Sequence, residues 1–506
     1  MRNTIQFIQL ALLLLLQTSI AVAQELEWEV GLSSNRTVIR AQGIRANTPA
    51  APTILYLAGL AGAGEASGRL RSILNAYAQL DEQERSVNLI TIAVANPEAE
   101  SLSFPPSGRA YAEDPVSNAL WRWIGVHAPD LIILAAEGEA GLVEALESEG
   151  IAGIGSIPVQ MLSEASASLE FLLQLSAQEE SAAALEMKRR LRRTPTQLAQ
   201  QLASVYGYDF STPAYVPGMS LIGRMRLGNT SEVETLIRAY LTGDGVEVAN
   251  ASVMAGHLVF AEYAERTGDE RALALAIRAA DQGFDEQGNM RPAVPMHNEM
   301  SDSVFMATPV LVKVGKLTGA TKYFDMAARH VEFMRGLLLR QDGLYRHSPE
   351  ANVAWGRGNA FPALGLALSL SDFPPSHPAY ASLKAAFIQH LEVLRPFQDE
   401  DGMWHEVVDY PGSFAELSST AMLGIAIKRG IDREWLSRET YQPILDNIWT
   451  AILARTSLNG EFIDVCTSTG KLQSLDAYLD RLAIFGRDDR AGGMVMLFAN
   501  EMAGNI

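Results

Sequence analysis

Cysteine is almost missing from this chain: Cys466 is the only one among 506 residues. No intramolecular disulfide can form, so the fold must rest on buried apolar area, which a chain this long can supply. Histidine is also sparse, with eight residues, and the N-terminal half holds only His127. A histidine pair at metal-ligand spacing is therefore excluded there. Cations are outnumbered, 40 Lys and Arg against 59 Asp and Glu, for a formal net charge of −19. Nucleic acid and anionic membranes are bound through clustered Lys and Arg, so neither is an expected partner. An anionic sugar remains possible, because a pocket needs only one or two local cations. Beyond the first residues no run is long and apolar enough to span a bilayer.

What is present begins with an export signal. Arg2 supplies the positive start, Ala11–Leu16 the apolar stretch and Ala21-Val22-Ala23 a small-residue cleavage site. Residues 1–23 are expected to be removed, leaving a periplasmic or extracellular protein with no membrane attachment.

Residues 24–165 read as an α/β domain. Thr53–Ala58, Asn88–Ala95 and Leu131–Ala135 are short apolar runs separated by helical segments near Gly68–Leu80 and Val116–Ile124, a pattern that predicts a largely parallel sheet. Gly31–Arg36 followed by Val38-Ile39, and Ala95-Asn96-Pro97 with Arg109, resemble the zinc carboxypeptidase fold. That family needs a His-x-x-Glu pair after the first core strand, where this chain has Gly59–Glu65 without histidine. The resemblance therefore implies a metal-free relative.

Residues 166–195 read as a linker, and the basic run Lys188–Arg193 before Pro195 as a solvated helix face. From Thr196 strand signals nearly vanish. About a dozen amphipathic segments follow, among them Ser303–Leu317, Thr321–Leu338 and Ala415–Lys428. No fixed period marks a solenoid, so a closed barrel of helix pairs over 196–506 fits better. The expected architecture is an N-terminal α/β domain followed by an all-α barrel.

Candidate chemistry gathers in this second part. Asp302 opens an apolar helix at Met300–Leu311, either as a cap for orphan N–H groups or as a functional acid. Four motifs follow in order: Gly343-Leu344-Tyr345-Arg346-His347, Trp355-Gly356-Arg357-Gly358-Asn359, Gln398-Asp399 with Gly402-Met403-Trp404-His405, and Ser413-Phe414-Ala415-Glu416 with Ser418 and Thr420. Their order resembles glycoside hydrolase family 105, the unsaturated rhamnogalacturonyl hydrolases, across nearly all of residues 196–506.

The resemblance implies an (α/α)6 barrel that removes a 4,5-unsaturated uronic acid from the non-reducing end of a lyase product, without metal or other cofactor. It implies Asp302 as the catalytic acid, and a substrate pocket drawing on Arg291, His347, Trp355, Arg357, Phe361 and His405. Arg357 is the expected partner of the uronate carboxylate, since a planar guanidinium fits two oxygens. Cys466–Lys471, Tyr478, Arg481 and Gly486–Arg490 resemble the family's closing loop.

Two positions depart from the pattern. Met300 and Phe361 stand where the family often has tryptophan, and His297 with Glu299 are placed to supply replacement contacts. His297-Asn298-Glu299 is spaced too closely to form a metal site on one helical face. A catalytically silent sugar-binding barrel and a peptidase-like N-terminal domain are the alternative readings.

Overall fold

A computed structural model of the chain describes residues 25–48, 50–135, 141–148, 153–163, 168–243, 245–296 and 299–506. The export signal and His297 lie outside the described residues. Strands β1 (Glu25–Leu32), β2 (Val38–Ile44), β3 (Thr53–Leu57), β4 (Asn88–Ile92), β5 (Leu131–Ala135) and β6 (Val159–Leu162) form one sheet in the order β1-β2-β4-β3-β5-β6. Strands β4, β3, β5 and β6 run parallel, whereas the β1–β2 hairpin is antiparallel and joins through β2 to β4. The sheet is thus mixed, because the chain opens with a hairpin whose tight turn needs no crossover helix.

Side chains alternate across this sheet with the period of two that a strand imposes. Leu55, Leu57, Ile132 and Leu134 pack under α2 (Pro115–His127) and α3 (Leu142–Ser148), while Ile54, Tyr56, Leu131 and Ile133 face α1 (Glu65–Ala78) and α4 (Leu169–Gln174). Helix α4 covers part of what was expected to be linker, and its Leu172 is fully buried. Helix α5 (Ala182–Leu191) covers more. In the basic run Arg189 and Arg192 are exposed, but Arg190 and Arg193 are buried. Arg193 donates to the carbonyls of Leu453 (2.9 Å), Thr456 (2.5 Å) and Ser457 (3.3 Å), and Arg190 to that of Ala454 (3.2 Å). A helix end presents carbonyls without partners and partial negative charge, which is why guanidinium groups were drawn in from solvent.

The second domain is a double ring of helices. The outer ones are α6 (Pro195–Ala203), α8 (Thr230–Thr242), α11 (Glu270–Ala280), α13 (Thr321–Leu338), α15 (Tyr380–Leu394) and α17 (Arg438–Ala454). The inner ones are α7 (Tyr215–Arg226), the pair α9 (Ala251–Gly256) and α10 (Leu258–Thr267), α12 (Ser303–Thr318), α14 (Gly356–Asp372), α16 (Leu417–Asp432) and α19 (Asp489–Ala503). Each inner element touches the next, and α19 returns to α7, so the ring closes as an (α/α)6 barrel. The chain alternates between the two rings, so the inner helices run parallel and all their N-termini meet at one end. Among the described residues no helix is long and apolar enough to cross a membrane.

The inner ring needs close backbone approach. A Cβ on Gly365 would lie 2.8 Å from the backbone of Phe305, so α14 and α12 could not pack at their present spacing with any other residue there.

Candidate active site

The motifs converge at the N-terminal end of the inner ring because they hydrogen-bond to one another. Asn359 accepts from Tyr345 N (2.8 Å) and donates to Tyr345 O (2.9 Å), which lays the Tyr345–His347 strand along the start of α14. His347 O accepts from Ser301 N at 2.9 Å, bringing the residue before Asp302 to the same place. Gly358 lets the two helix starts meet, since a Cβ there would be 2.9 Å from Ser301 Oγ. Glu416 N donates to Trp404 O and Trp404 N to Thr420 Oγ1, joining the third and fourth motifs.

Asp302 stands at the N-cap of α12, yet its carboxylate accepts no backbone N–H there, and its own φ of −50° is helical. Capping does not account for the residue. Its Oδ2 lies 3.2 Å from His347 Nε2, within reach of proton sharing though poorly aligned for a hydrogen bond. His347 is wholly buried, its ring tilted against Trp355 with centroids 4.3 Å apart. On its far side Nδ1 is 2.8 Å from Tyr478 Oη. Tyr478 Oη also accepts from Leu472 N at 3.4 Å and meets the Ser348 side chain, and its single hydrogen is assigned to Nδ1, the short contact. Burial pushes this phenol up to about 12, which keeps it protonated as a donor. The network therefore assigns the His347 proton to Nε2, facing Asp302.

Behind this line lies a buried charged cluster. Arg357 Nη1 donates to Cys466 O (2.8 Å) and Ser418 Oγ (3.1 Å), and Nη2 to Thr467 O (2.7 Å), while Glu416 is 3.8 Å away. Its guanidinium also stacks over Trp355, 4.7 Å from the ring centroid. Nη1 is fully committed to the chain, whereas Nε has no partner among the described residues and Nη2 keeps one N–H, so the side-on edge of the guanidinium is the one left to meet a substrate carboxylate. Arg357 lines the cavity while anchoring the loop beyond Cys466. Arg490 donates to Cys466 O at 2.9 Å and to Ser468 Oγ at 3.0 Å from the other side. Glu416 caps α16 by accepting from Ser418 N and Ser419 N. Glu406 accepts from Trp355 Nε1 at 2.9 Å and from Cys466 Sγ at 3.1 Å. Burial, and then the nearby Glu416 carboxylate, push Glu406 up to about 8, so this group stays neutral in neutral solution.

The cavity in front has a volume of about 280 Å³ and is lined by Tyr215, Asn250, Ser252, Met300, Asp302, Trp355, Arg357, Ser468 and Thr469, among others. That is near the lower end of small-ligand sites, roughly 300–1,000 Å³. Inner-helix N-termini border it, and among the described residues its wall carries one cation, Arg357, and one anion, Asp302. Among the described residues no group of three or more His, Cys, Asp and Glu is placed to hold a metal.

Three expected site residues lie elsewhere. His405 bonds to Asp399 at 3.0 Å and faces Glu29 of the N-terminal domain, because its strand turns alternate side chains away from the barrel mouth. Arg291 is exposed and donates to Phe284 O at 2.9 Å. Phe361 is buried in α14, stacked on Phe305 and edge-on to Tyr215, so it backs the cavity wall without forming it. Tyr215, Asn250, Ser252 and Glu406 had been missed. The first three stand at inner-helix starts, and the Asn250 cap ahead of Val253 was the available signal.

A closed helical double ring with an acid and a histidine at its N-terminal mouth places the protein among the (α/α)6-barrel enzymes, and the family it matches makes it a glycoside hydrolase. The chain matches Glycosyl Hydrolase Family 88 over residues 233–505 and belongs to that family. It is 26% identical over 273 residues to an unsaturated rhamnogalacturonyl hydrolase of Bacillus subtilis (strain 168), covering 52% of this chain and 71% of that protein. Over 169 residues it is 25% identical to an unsaturated 3S-rhamnoglycuronyl hydrolase of Formosa agariphila, covering 30% of this chain and 45% of that protein. The fold is shared with a possible member of the GH105 family from Salmonella enterica serovar Paratyphi A, at TM-score 0.54 and 21% identity, covering 62% of this chain and 96% of the other. A family 105 glycoside hydrolase of C. acetobutylicum gives 0.53 and 16%, with coverage of 60% and 99%.

Proposed function

We propose that the enzyme removes a 4,5-unsaturated uronic acid from the non-reducing end of lyase-generated oligosaccharides of the rhamnogalacturonan type, by hydrating the ring double bond. The observation that carries this reading is a carboxyl group at a helix start that caps nothing, aimed into a small cavity that also holds Arg357, and paired with a buried histidine. An ordinary glycosidase needs two carboxylates flanking the anomeric carbon. Here Glu406 and Glu416 are fully buried and committed to internal partners, which leaves Asp302 as the carboxyl of the cavity wall. One carboxyl suffices for an enol ether. Asp302 gives its proton to C4, and the charge left at C5 takes a hydroxyl from water as the carboxylate recovers a proton. The hemiketal so formed opens, the bond to the next sugar breaks, and the freed alcohol leaves. His347, with its proton held toward Asp302, orients the carboxyl and passes charge to and from it. Arg357 and the helix N-termini at the cavity suit the uronate carboxylate. Export is part of the same reading, since Arg2, Ala11–Leu16 and Ala21-Val22-Ala23 compose a cleavable signal.

Turnover of an unsaturated disaccharide in heavy-oxygen water tests this. Label is expected on C5 of the released keto sugar, with loss of the double-bond absorbance. Label at C1 would mean attack at the anomeric carbon, and binding without turnover would mean a sugar-binding barrel.

A further inference from the structure

The loop that completes the site belongs to the barrel but is held by the other domain. Strands β7 (Phe462–Cys466) and β8 (Ala483–Gly486) form an antiparallel hairpin, and α18 (Leu475–Leu479) lies in the segment between them. This unit supplies Tyr478 to His347, and Cys466 O and Thr467 O to Arg357. Its own pairing is irregular: the register shifts between Ile463 and Val465, and Asp464 bulges out with φ +62°. The bulge turns the Asp464 carboxylate toward the N-terminal domain. There it forms a buried ion pair with Arg122 and accepts from Tyr111 Oη at 3.0 Å. Arg122 also lies 5.3 Å from the Phe485 ring, so it touches both strands. Tyr111 stacks on Phe414 at 5.2 Å, two residues before Glu416.

A second grip acts on α18. Arg36 in the β1–β2 turn donates to Asp480 at 2.7 Å and lies 3.7 Å from Asp476, the two acids that flank Tyr478. The turn is braced from behind, since Thr37 Oγ1 donates to Glu98 (2.5 Å) and Ser34 Oγ to Glu100 (2.7 Å). Non-glycine residues with positive φ cost energy and persist only where surroundings enforce them. Eight occur among the described residues, and Arg36, Tyr111 and Asp464 are three of them. Backbone strain thus gathers at this one contact between domains.

We propose that the N-terminal domain is a positioning element of the barrel's active site. Arg122, Tyr111 and Arg36 clamp the 462–486 hairpin so that Tyr478 orients His347 and the 466–467 carbonyls seat Arg357. The catalytic part of this claim rests on the functional reading above; the clamp itself does not. Cys466, buried at the end of β7 and the only thiol in the chain, reports hairpin opening without any substrate.

The test compares full-length wild type, Arg122→Met, Arg122→Lys and the surface variant Arg36→Ala, which serves should Arg122→Met not fold. Thiol-reagent labelling of Cys466 is expected to speed up about tenfold or more in Arg122→Met. Its kcat on an unsaturated disaccharide should fall about tenfold or more, with a smaller change in KM and an altered pH profile. Arg122→Lys should restore part of both, and Arg36→Ala should show a weaker version. Labelling at the wild-type rate in both Arg122→Met and Arg36→Ala overturns the clamp, and faster labelling with unchanged kcat and pH profile overturns the positioning of the active site by it. An inactive wild type would overturn the functional reading, while labelling would still decide the clamp.

Discussion

Tyr478 Oη sits 2.8 Å from His347 Nδ1 although the two residues are 131 positions apart, and through this contact a late loop decides which nitrogen faces Asp302. Tyr478→Phe removes that donor and lets the imidazole take either tautomer. We expect kcat to fall roughly tenfold with KM little changed, and the pH profile to move. Steady-state kinetics across pH check this; an unchanged profile would place Tyr478 outside the proton path.

Asp302→Asn keeps the shape and removes the acid. Because the carboxylate makes no capping bond, the melting temperature should hardly change, while turnover should drop by roughly 10²–10⁴. Retained activity would return Asp302 to a structural role.

Arg357→Lys replaces a fork that seats three acceptors with a single ammonium group. We expect kcat/KM to fall roughly 10–100-fold, because the 466–467 loop loses its anchor and a buried charge is poorly matched. Faster thiol labelling of Cys466 in this variant would separate loop release from lost substrate contact.

Glu406 gives a stability prediction with a definite sign. In the unfolded chain it ionises near 4.5, but in the folded protein only at about 8. Between these values the folded state holds one more proton, so this residue makes stability fall as pH rises, by on the order of 1 kcal/mol per pH unit. Below that window it contributes no slope. Glu406→Gln should flatten the decline in urea midpoints measured from pH 5 to pH 8.

Arg193→Ala uncovers the carbonyls of Leu453, Thr456 and Ser457. A cost of roughly 2–3 kcal/mol in urea unfolding is expected, from buried acceptors left without donors. A change below experimental error would mean that water replaces the guanidinium.

These residues also mark what the sequence made legible. Outer helix α13 was readable to the residue, and the other outer helices to within a few residues at their ends, since one apolar face and one wet face produce a 3.6-residue rhythm. Inner helix α7 was not seen: Gly218 to Met225 are all buried, so no rhythm exists, and Pro217 and Gly223 read as breakers. Asp302, His347 and Tyr478 were legible from motif order. The contacts Arg357 makes with the 466–467 loop were not, because they are to backbone carbonyls, which leave no trace in residue identity. Arg190 and Arg193 misled for a similar reason, as nothing local says that a distant helix end will face them.

The mouth sets an arithmetic for degradation. On the proposed chemistry the cavity of about 280 Å³ receives the terminal ring of a chain. The double bond that the chemistry consumes is present only on the terminal ring left by a lyase cut. Once that ring departs, the newly exposed sugar is saturated and the enzyme has nothing more to do on that strand. On that reading each oligosaccharide is processed once, and the yield of keto sugar counts the lyase cuts that came before it.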